Sequence, residues 1–282
     1  MTTPAVGAVL MLGCIPPLRI IALGLLTAFA GYTAVYALND VVDYRADKDK
    51  MARCGIPHCD NDLDAICVRH PLAQGLLSLR EGMLWTAAWG FVALLGAYAL
   101  NPVCALIFIA GCLAEAVYCK MLRVSYLRTF VSGSVKTAGG MAAVFAVRSD
   151  PPSAFLILLF LWLFCWEIGG QNVPNDWADI NEDKYLAADT IPVRFGPELS
   201  SATILGALST AVVLSILLYF VTPARLNSVY LIGAFLSGTF LLLIPAYRLI
   251  QTGSADRAAA LFNRASYYPP AMLLVILVSS LI

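Results

Sequence analysis

Apolar residues run along this chain in stretches of about 20, at about 18–42, 83–101, 102–119, 128–147, 153–175, 198–221, 226–250 and 262–282, with a half-length stretch at about 4–15. About 20 apolar residues in a helix cross the hydrocarbon of a bilayer, so the pattern predicts nine helices, the first of them short. Pro16-Pro17, Asn101-Pro102, Pro151-Pro152, Pro197, Pro223 and Thr252-Gly253 fall where one helix should stop and the next begin. No strand-like alternation competes, and lipid-exposed backbone needs helices or a closed barrel. Only 38 residues precede Asn39, room for one full span and half of another, so either the first helix is short or the chain lacks its natural start.

Composition strengthens this reading. Of 282 residues, 60% are apolar and only 13% charged, and the mean hydropathy of +0.79 exceeds what a soluble domain can hide in one core. These numbers exclude a disulfide scaffold, a disordered chain and a nucleic-acid-binding module; the expected partner is the lipid bilayer, with no nucleic acid. Net charge is zero, so charge chemistry has to come from local clusters. Most of the eight cysteines lie in or beside apolar stretches and read as small packing residues. Met1 to Gly13 lacks the basic start of a signal peptide.

Lys and Arg are distributed unequally. Arg45, Lys48, Lys50, Arg53, Arg69, Arg80, Lys120, Arg123, Arg128, Lys184, Arg194, Arg248, Arg257 and Arg264 follow even-numbered stretches, whereas only Arg19, Arg148 and Arg225 lie on the other side and Lys136 falls inside a span. Fourteen against three predicts a multi-pass protein with the first group in the cytoplasm. The acidic clusters share that side.

Asn39, Asp43 and Asp47 repeat at i, i+4, i+8, and Asp176, Asp179 and Asp183 at i, i+3, i+7, so each set shares one helix face. Stacked carboxylates repel one another and are costly beside hydrocarbon, which a cation offsets. Oxygen-only donors suit Mg²⁺, which takes one or two carboxylates and fills its octahedron with water and phosphate oxygens. A single cluster would pass for a solvated helix end; two with similar spacing, at the ends of the second and sixth stretches, do not. Arg69-His70-Pro71-Leu72-Ala73-Gln74-Gly75 follows the first cluster and Asp189-Thr190-Ile191-Pro192-Val193-Arg194-Phe195-Gly196 the second, the mark of a diverged internal duplication.

These paired motifs, Asn39-Asp40-x-x-Asp43-x-x-x-Asp47 and Asp176-x-x-Asp179-x-x-x-Asp183 with their Pro-Leu-x-x-Gly and Thr-Ile-Pro-Val-x-Phe-Gly tails, resemble the UbiA superfamily of intramembrane prenyltransferases. The resemblance covers nearly the whole chain, including Leu261-Phe262-Asn263-Arg264 before the last span. It implies an all-α membrane domain over residues 1–282, with about nine helices around a central cavity and cytoplasmic loops at 48–80, a lid, and 177–197. It also implies Mg²⁺ held between the motifs and a polyprenyl diphosphate, whose prenyl group passes to a lipophilic or aromatic acceptor. Asn39, Asp43, Asp176 and Asp179 are the first-choice metal ligands, with Asp47 and Asp183 next, and Asp43 and Asp176 carry the catalytic weight. Arg45, Arg69, Lys120 and Arg123 are candidate diphosphate clamps.

The chain departs from the family pattern at two places. Tyr44 stands where several members have Arg, with Arg45 following, and Gly170-Gln171-Asn172-Val173-Pro174-Asn175-Asp176 stands where relatives often read Gly-Arg-Glu-x-x-Lys-Asp. Lys136, inside a span, is a functional candidate facing the cavity or an ion-pair partner of Glu115. Glu167 either orients an acceptor hydroxyl or satisfies a helix neighbour, with the balance toward the second. Cys54, His58, Cys59, Cys67 and His70 do not match a common zinc spacing and read as part of the lid. Two other functions compete: a terpene cyclase on the same fold, and a cation-coupled transporter, which should place its acids in broken mid-span helices rather than at helix ends.

Overall fold

The structure, a computed structural model, describes residues 2–54 and 70–281. All regular structure in these residues is helical: α1 (Thr2–Leu12), α2 (Leu18–Cys54), α3 (Leu79–Leu100), α4 (Pro102–Lys120), α5 (Arg128–Val147), α6 (Ser153–Trp166), α7 (Val173–Ala178), α8 (Ile180–Tyr185), α9 (Ile191–Val221), α10 (Ser228–Gly238), α11 (Ile244–Thr252), α12 (Ala255–Ser266) and α13 (Tyr268–Leu281). Eight runs among the described residues are long and apolar enough to cross a membrane, among them Ser153–Ala178, Ser228–Thr252 and Ala255–Ser280, which each join two or more helices. The short apolar α1 is the ninth expected stretch. Phe91, Leu106, Phe220 and Leu274 are exposed on the outside of the bundle, where lipid is their solvent.

The helix boundaries have local causes. Ser78 and Glu81 form a reciprocal cap at the start of α3, with Ser78 Oγ accepting from the Glu81 N–H at 3.3 Å and Glu81 Oε2 accepting from the Ser78 N–H at 2.8 Å. Asn101 caps α4 by accepting from the Val103 N–H at 2.9 Å, with Pro102 at the first helical position where no donor is missed. The boundary expected at Pro197 is present as a kink within α9: Gly196, with φ 74° and ψ −173°, breaks the helix between a short first turn from Ile191 and the long span that begins at Pro197. α2 continues as helix to Cys54, past position 48 where a loop was expected, and the 177–197 segment holds the end of α7, all of α8 and the start of α9.

Two π turns interrupt the later spans. Glu167–Asn172 precedes Pro174 and Thr239–Leu243 precedes Pro245, with the Val173 N–H donating to the Ile168 carbonyl and the Ile244 N–H to the Thr239 carbonyl. Proline cannot donate to the carbonyl four residues back and its ring crowds that carbonyl; a wider turn relieves both problems.

The main core joins α6, through Phe155, Leu159, Trp162 and Leu163, to α9, through Ile204, Leu208 and Ala211, and to α10–α13. Trp162 Nε1 donates to the Tyr268 hydroxyl at 3.1 Å inside it. α1 enters this core with Val6, Val9, Leu10 and Met11 and crosses α5 where Gly7 meets Gly140; a Cβ on Gly7 would lie 2.6 Å from the Gly140 carbonyl oxygen. Small residues let helix backbones approach this closely in a membrane protein. α2, α3 and α4 contribute few fully buried residues, because they flank a cavity instead of the core.

Candidate active site

That cavity, of about 400 Å³, is enclosed by α1, α2, α4, α5 and α13 and lined by residues such as Val9, Gly24, Phe108, Ala142 and Leu277. Its wall is almost wholly apolar. The polar exceptions gather at one end, where Lys136 Nζ donates to the Tyr36 hydroxyl at 3.2 Å and lies 4.3 Å from the centre of the Tyr36 ring. Lys136 lines the cavity, and the alternative of an ion pair with Glu115 is not what it makes directly: its hydrogen-bond partner is Tyr36, while Glu115 accepts from Asn39. Glu167 accepts from Asn172 Nδ2 at 3.0 Å.

One to two helical turns further along α2, α4 and α5, the three helices carry a cluster of polar groups. Asn39 Nδ2 donates to Glu115 Oε1 at 2.9 Å and to Cys119 Sγ at 3.3 Å, and Cys119 hydrogen-bonds Asp43 in turn. Arg128, at the first position of α5, is 8% exposed and stacks on the Tyr118 ring at 4.3 Å. Its guanidinium lies within electrostatic reach of Asp176, Asp183 and Asp43, so one buried cation stands between the two acidic motifs. Asp179 and Asp183 add to the negative charge around Asp176. The backbone bends at Asp179, yet the Asp179 N–H still donates to the Asn175 carbonyl and the Asp183 N–H to the Asp179 carbonyl, so the spacing keeps its helical meaning across α7 and α8. Thr190 Oγ1 donates to Asp183 Oδ2 at 3.2 Å and fixes that carboxylate.

Asp47 faces the loop instead of Arg128. His70 Nδ1 stands 3.0 Å from Asp47 Oδ2 and 3.2 Å from Asp40 Oδ1, and its own backbone has a φ of 52°, uncommon for a residue with a side chain. Hydrogen bonds to Asp40 and then Asp47 hold the His70 imidazole up at about 9, so it is the cation that docks the start of the Pro71–Gly75 turn on α2. Asp40, Asp47 and His70 together also form a set of donor atoms close enough to share a metal ion.

The structure places Asp43, Asp176 and Asp183 within electrostatic reach of Arg128, with Asn39 tied to Asp43 through Cys119 and Asp179 near Asp176, while Asp47, a charged neighbour of Asp43, also meets His70. Arg45, Lys120 and Arg123 stand exposed at the same end of the bundle, and Lys136 lies deeper, at the cavity. Arg69, His58, Cys59 and Cys67 lie outside the described residues, as do the side-chain surroundings of Arg53 and Cys54. Sequence reasoning missed Arg128 as a site residue, counting it only as loop charge; an Arg opening an apolar span was the available signal. It also missed the pairing of Asn39 with Glu115 and the docking of His70, for which spacing carries no signal.

The oxygen donors fit a hard divalent ion. They are carboxylates and one amide carbonyl with the Cys119 thiol beside them, and among the described residues Arg128 is the buried cation that faces them.

The sequence pattern of the UbiA prenyltransferase family matches residues 1–267. The digeranylgeranylglyceryl phosphate synthase of Methanosarcina barkeri is 26% identical over 203 residues, 70% of this chain and 67% of that protein. The protoheme IX farnesyltransferase of Synechococcus sp. is 29% identical over 227 residues, 74% of this chain and 64% of that protein. This chain therefore spans about two thirds of the length of these relatives. Among solved structures, a UbiA homolog from Aeropyrum pernix superposes with a TM-score of 0.75 at 20% identity, covering 98% of this chain and 95% of that one. A UbiA homolog from Archaeoglobus fulgidus bound to DMAPP and Mg²⁺ superposes with a TM-score of 0.69 at 18% identity, covering 98% and 93%. With nearly its whole length matched and its two acidic motifs meeting at the end of an apolar cavity, the chain belongs to the UbiA prenyltransferase family.

Proposed function

We propose that this chain transfers a prenyl group from a polyprenyl diphosphate to a lipophilic or aromatic acceptor within the membrane, using Mg²⁺. The observation that carries this reading is the meeting of both acidic motifs around Arg128, one to two turns beyond the end of an apolar cavity. The names of similar proteins support it: each named relative is a synthase or transferase of isoprenoid groups, and one similar structure holds DMAPP and Mg²⁺. The excess of Lys and Arg on the motif side supports placing the site at the cytoplasmic end.

In this reading Asn39, Asp43, Asp176 and Asp179 hold the ion, with Asp47 and Asp183 in support. Bound Mg²⁺ supplies positive charge to the leaving diphosphate. Arg128 faces the same charge from a fixed, buried position, and Arg45, Lys120, Arg123 and Arg69 can add to it from the loops. The apolar cavity takes the prenyl chain and keeps water from the allylic carbon as its bond to the diphosphate oxygen breaks. The acceptor's nucleophilic atom forms the new bond to that carbon and gives up a proton. Lys136 and Tyr36 present the polar groups at the cavity end.

Incubating the purified chain with Mg²⁺ and labelled diphosphates of graded length, with and without membrane lipid extract, tests the proposal. Acceptor-dependent prenylated product is the expected result. Cyclised hydrocarbon formed without extract would establish the cyclase instead, and no turnover of any diphosphate would remove the reading.

A further inference from the structure

The Asn39 side chain has one carbonyl oxygen, able to hold a cation, and one NH₂ group, which is not. An amide can present either toward a ligand by turning about its last bond. In this chain the choice is made by α4. The Asn39 nitrogen donates to Glu115 Oε1 at 2.9 Å and to Cys119 Sγ at 3.3 Å, so both of its N–H groups are committed on the α4 side and the carbonyl oxygen is the atom left over. Turning the amide would set that oxygen against a carboxylate oxygen, an acceptor facing an acceptor.

Glu115 is an expensive residue to keep for packing alone. It is 3% exposed in the middle of an apolar helix, and its Oε2 has no hydrogen-bond partner. A buried carboxylate with half of its acceptor capacity unused costs free energy. Alanine, cysteine or valine would fill the α4 face as its neighbours do. What Glu115 provides that they cannot is a side-chain oxygen that accepts from the Asn39 nitrogen.

We infer that Glu115 is a positioning residue: its buried carboxylate locks the Asn39 amide so that the carbonyl oxygen, not the nitrogen, faces the divalent cation held by the acidic motifs. The inference deepens the proposed Mg²⁺ site and rests on it. It assigns Glu115 no contact with the ion or the substrate. Glu115→Gln keeps the size of the side chain and loosens the lock: the new amide can still accept from the Asn39 nitrogen but can also donate to the Asn39 oxygen, so the turned state gains a partner and both orientations become populated.

Mn²⁺ binding to the detergent-purified full chain, followed by the electron paramagnetic resonance signal of the free ion, tests this without reference to turnover. Glu115→Gln should raise the dissociation constant by about twofold or more, the factor for an amide split evenly between its two orientations, with the melting temperature held near that of the unaltered protein. Asn39→Asp alone should also weaken binding, since it places two carboxylates in contact. The double variant Asn39→Asp with Glu115→Gln should bind within about threefold of the unaltered protein, because a carboxylate offers oxygen in either orientation and the new amide can donate to it. A merely structural role gives losses that add in the double variant. Unaltered affinity in Glu115→Gln, or additive losses, overturns the inference. If Glu115→Gln does not purify folded, Glu115→Asp, which withdraws the acceptor by one methylene, must weaken Mn²⁺ binding in its place, and unaltered affinity there overturns it equally. A starting protein that binds no Mn²⁺ removes the proposed function, and the inference with it; Mn²⁺ binding that ignores Glu115 removes the inference alone.

Discussion

Arg128 is the residue on which the site turns, since one buried guanidinium faces Asp43 from the first motif and Asp176 and Asp183 from the second. Removing one side of a buried ion cluster leaves the others uncompensated, at a cost of about 3–5 kcal/mol. Arg128→Met should therefore lower the melting temperature of the detergent-solubilised protein and abolish turnover. Arg128→Lys should keep the fold but weaken diphosphate binding, because an ammonium lacks the planar fork of the guanidinium and its stacking on Tyr118. Equal diphosphate affinity in Arg128→Lys, measured by calorimetry, would show that only the charge counts. Asp43→Ala and Asp176→Ala should each reduce turnover at least about a hundredfold, as loss of metal-held charge stabilisation usually does. Folded variants with near-normal rates would refute the ligand assignment. Asp43 and Asp176 were legible because a helix turns spacing into a shared face. Arg128 and Glu115 were not, because their partners lie on other helices and no spacing reports those.

The π turn of Glu167–Asn172 holds one residue more than an α-helix would over the same rise, so the wider turn absorbs that residue and the helix beyond it keeps its phase. Deleting Ile168 should return the segment to α geometry and leave Asp176 on the same face, with helical circular dichroism and Mn²⁺ affinity near those of the unaltered protein. Lost Mn²⁺ binding in a folded deletion variant would mean that the turn itself aims the second motif. At the crossing of α1 and α5, Gly7→Val drives a branched side chain into the Gly140 carbonyl and should destabilise the fold by about 1–3 kcal/mol, read as a lower melting temperature. Proline marked most helix ends in the sequence, Pro197 among them, yet Pro174 and Pro245 lie inside continuous helical runs. The π turns before them relieve the crowding there, which no local pattern announces.

At the scale of the molecule, the cavity lies where α1, α2, α4, α5 and α13 fail to close on one another, and its volume limits the chain that can enter. Gly24 lines it, and a Cβ added there meets nothing within 4 Å. Gly24→Phe should therefore fill part of the cavity without cost to stability and shorten the longest diphosphate accepted, seen by product mass over a ladder of chain lengths. An unchanged length profile would place the prenyl chain elsewhere. The sequence alone determined that the chain is a bundle of membrane-crossing helices, and it supplied both acidic motifs, because hydrocarbon demands long apolar runs and a helix repeats every 3.6 residues; both are properties of single segments. Only the tertiary structure decided that Arg128 lies within reach of both motifs, that Glu115 holds Asn39, that His70 docks on Asp47 and Asp40, and that Lys136 meets Tyr36 and not Glu115. Each of those depends on the rotation of one helix against another, which is set by close packing across the whole bundle, such as Gly7 on Gly140, and not by the residues in contact at the site.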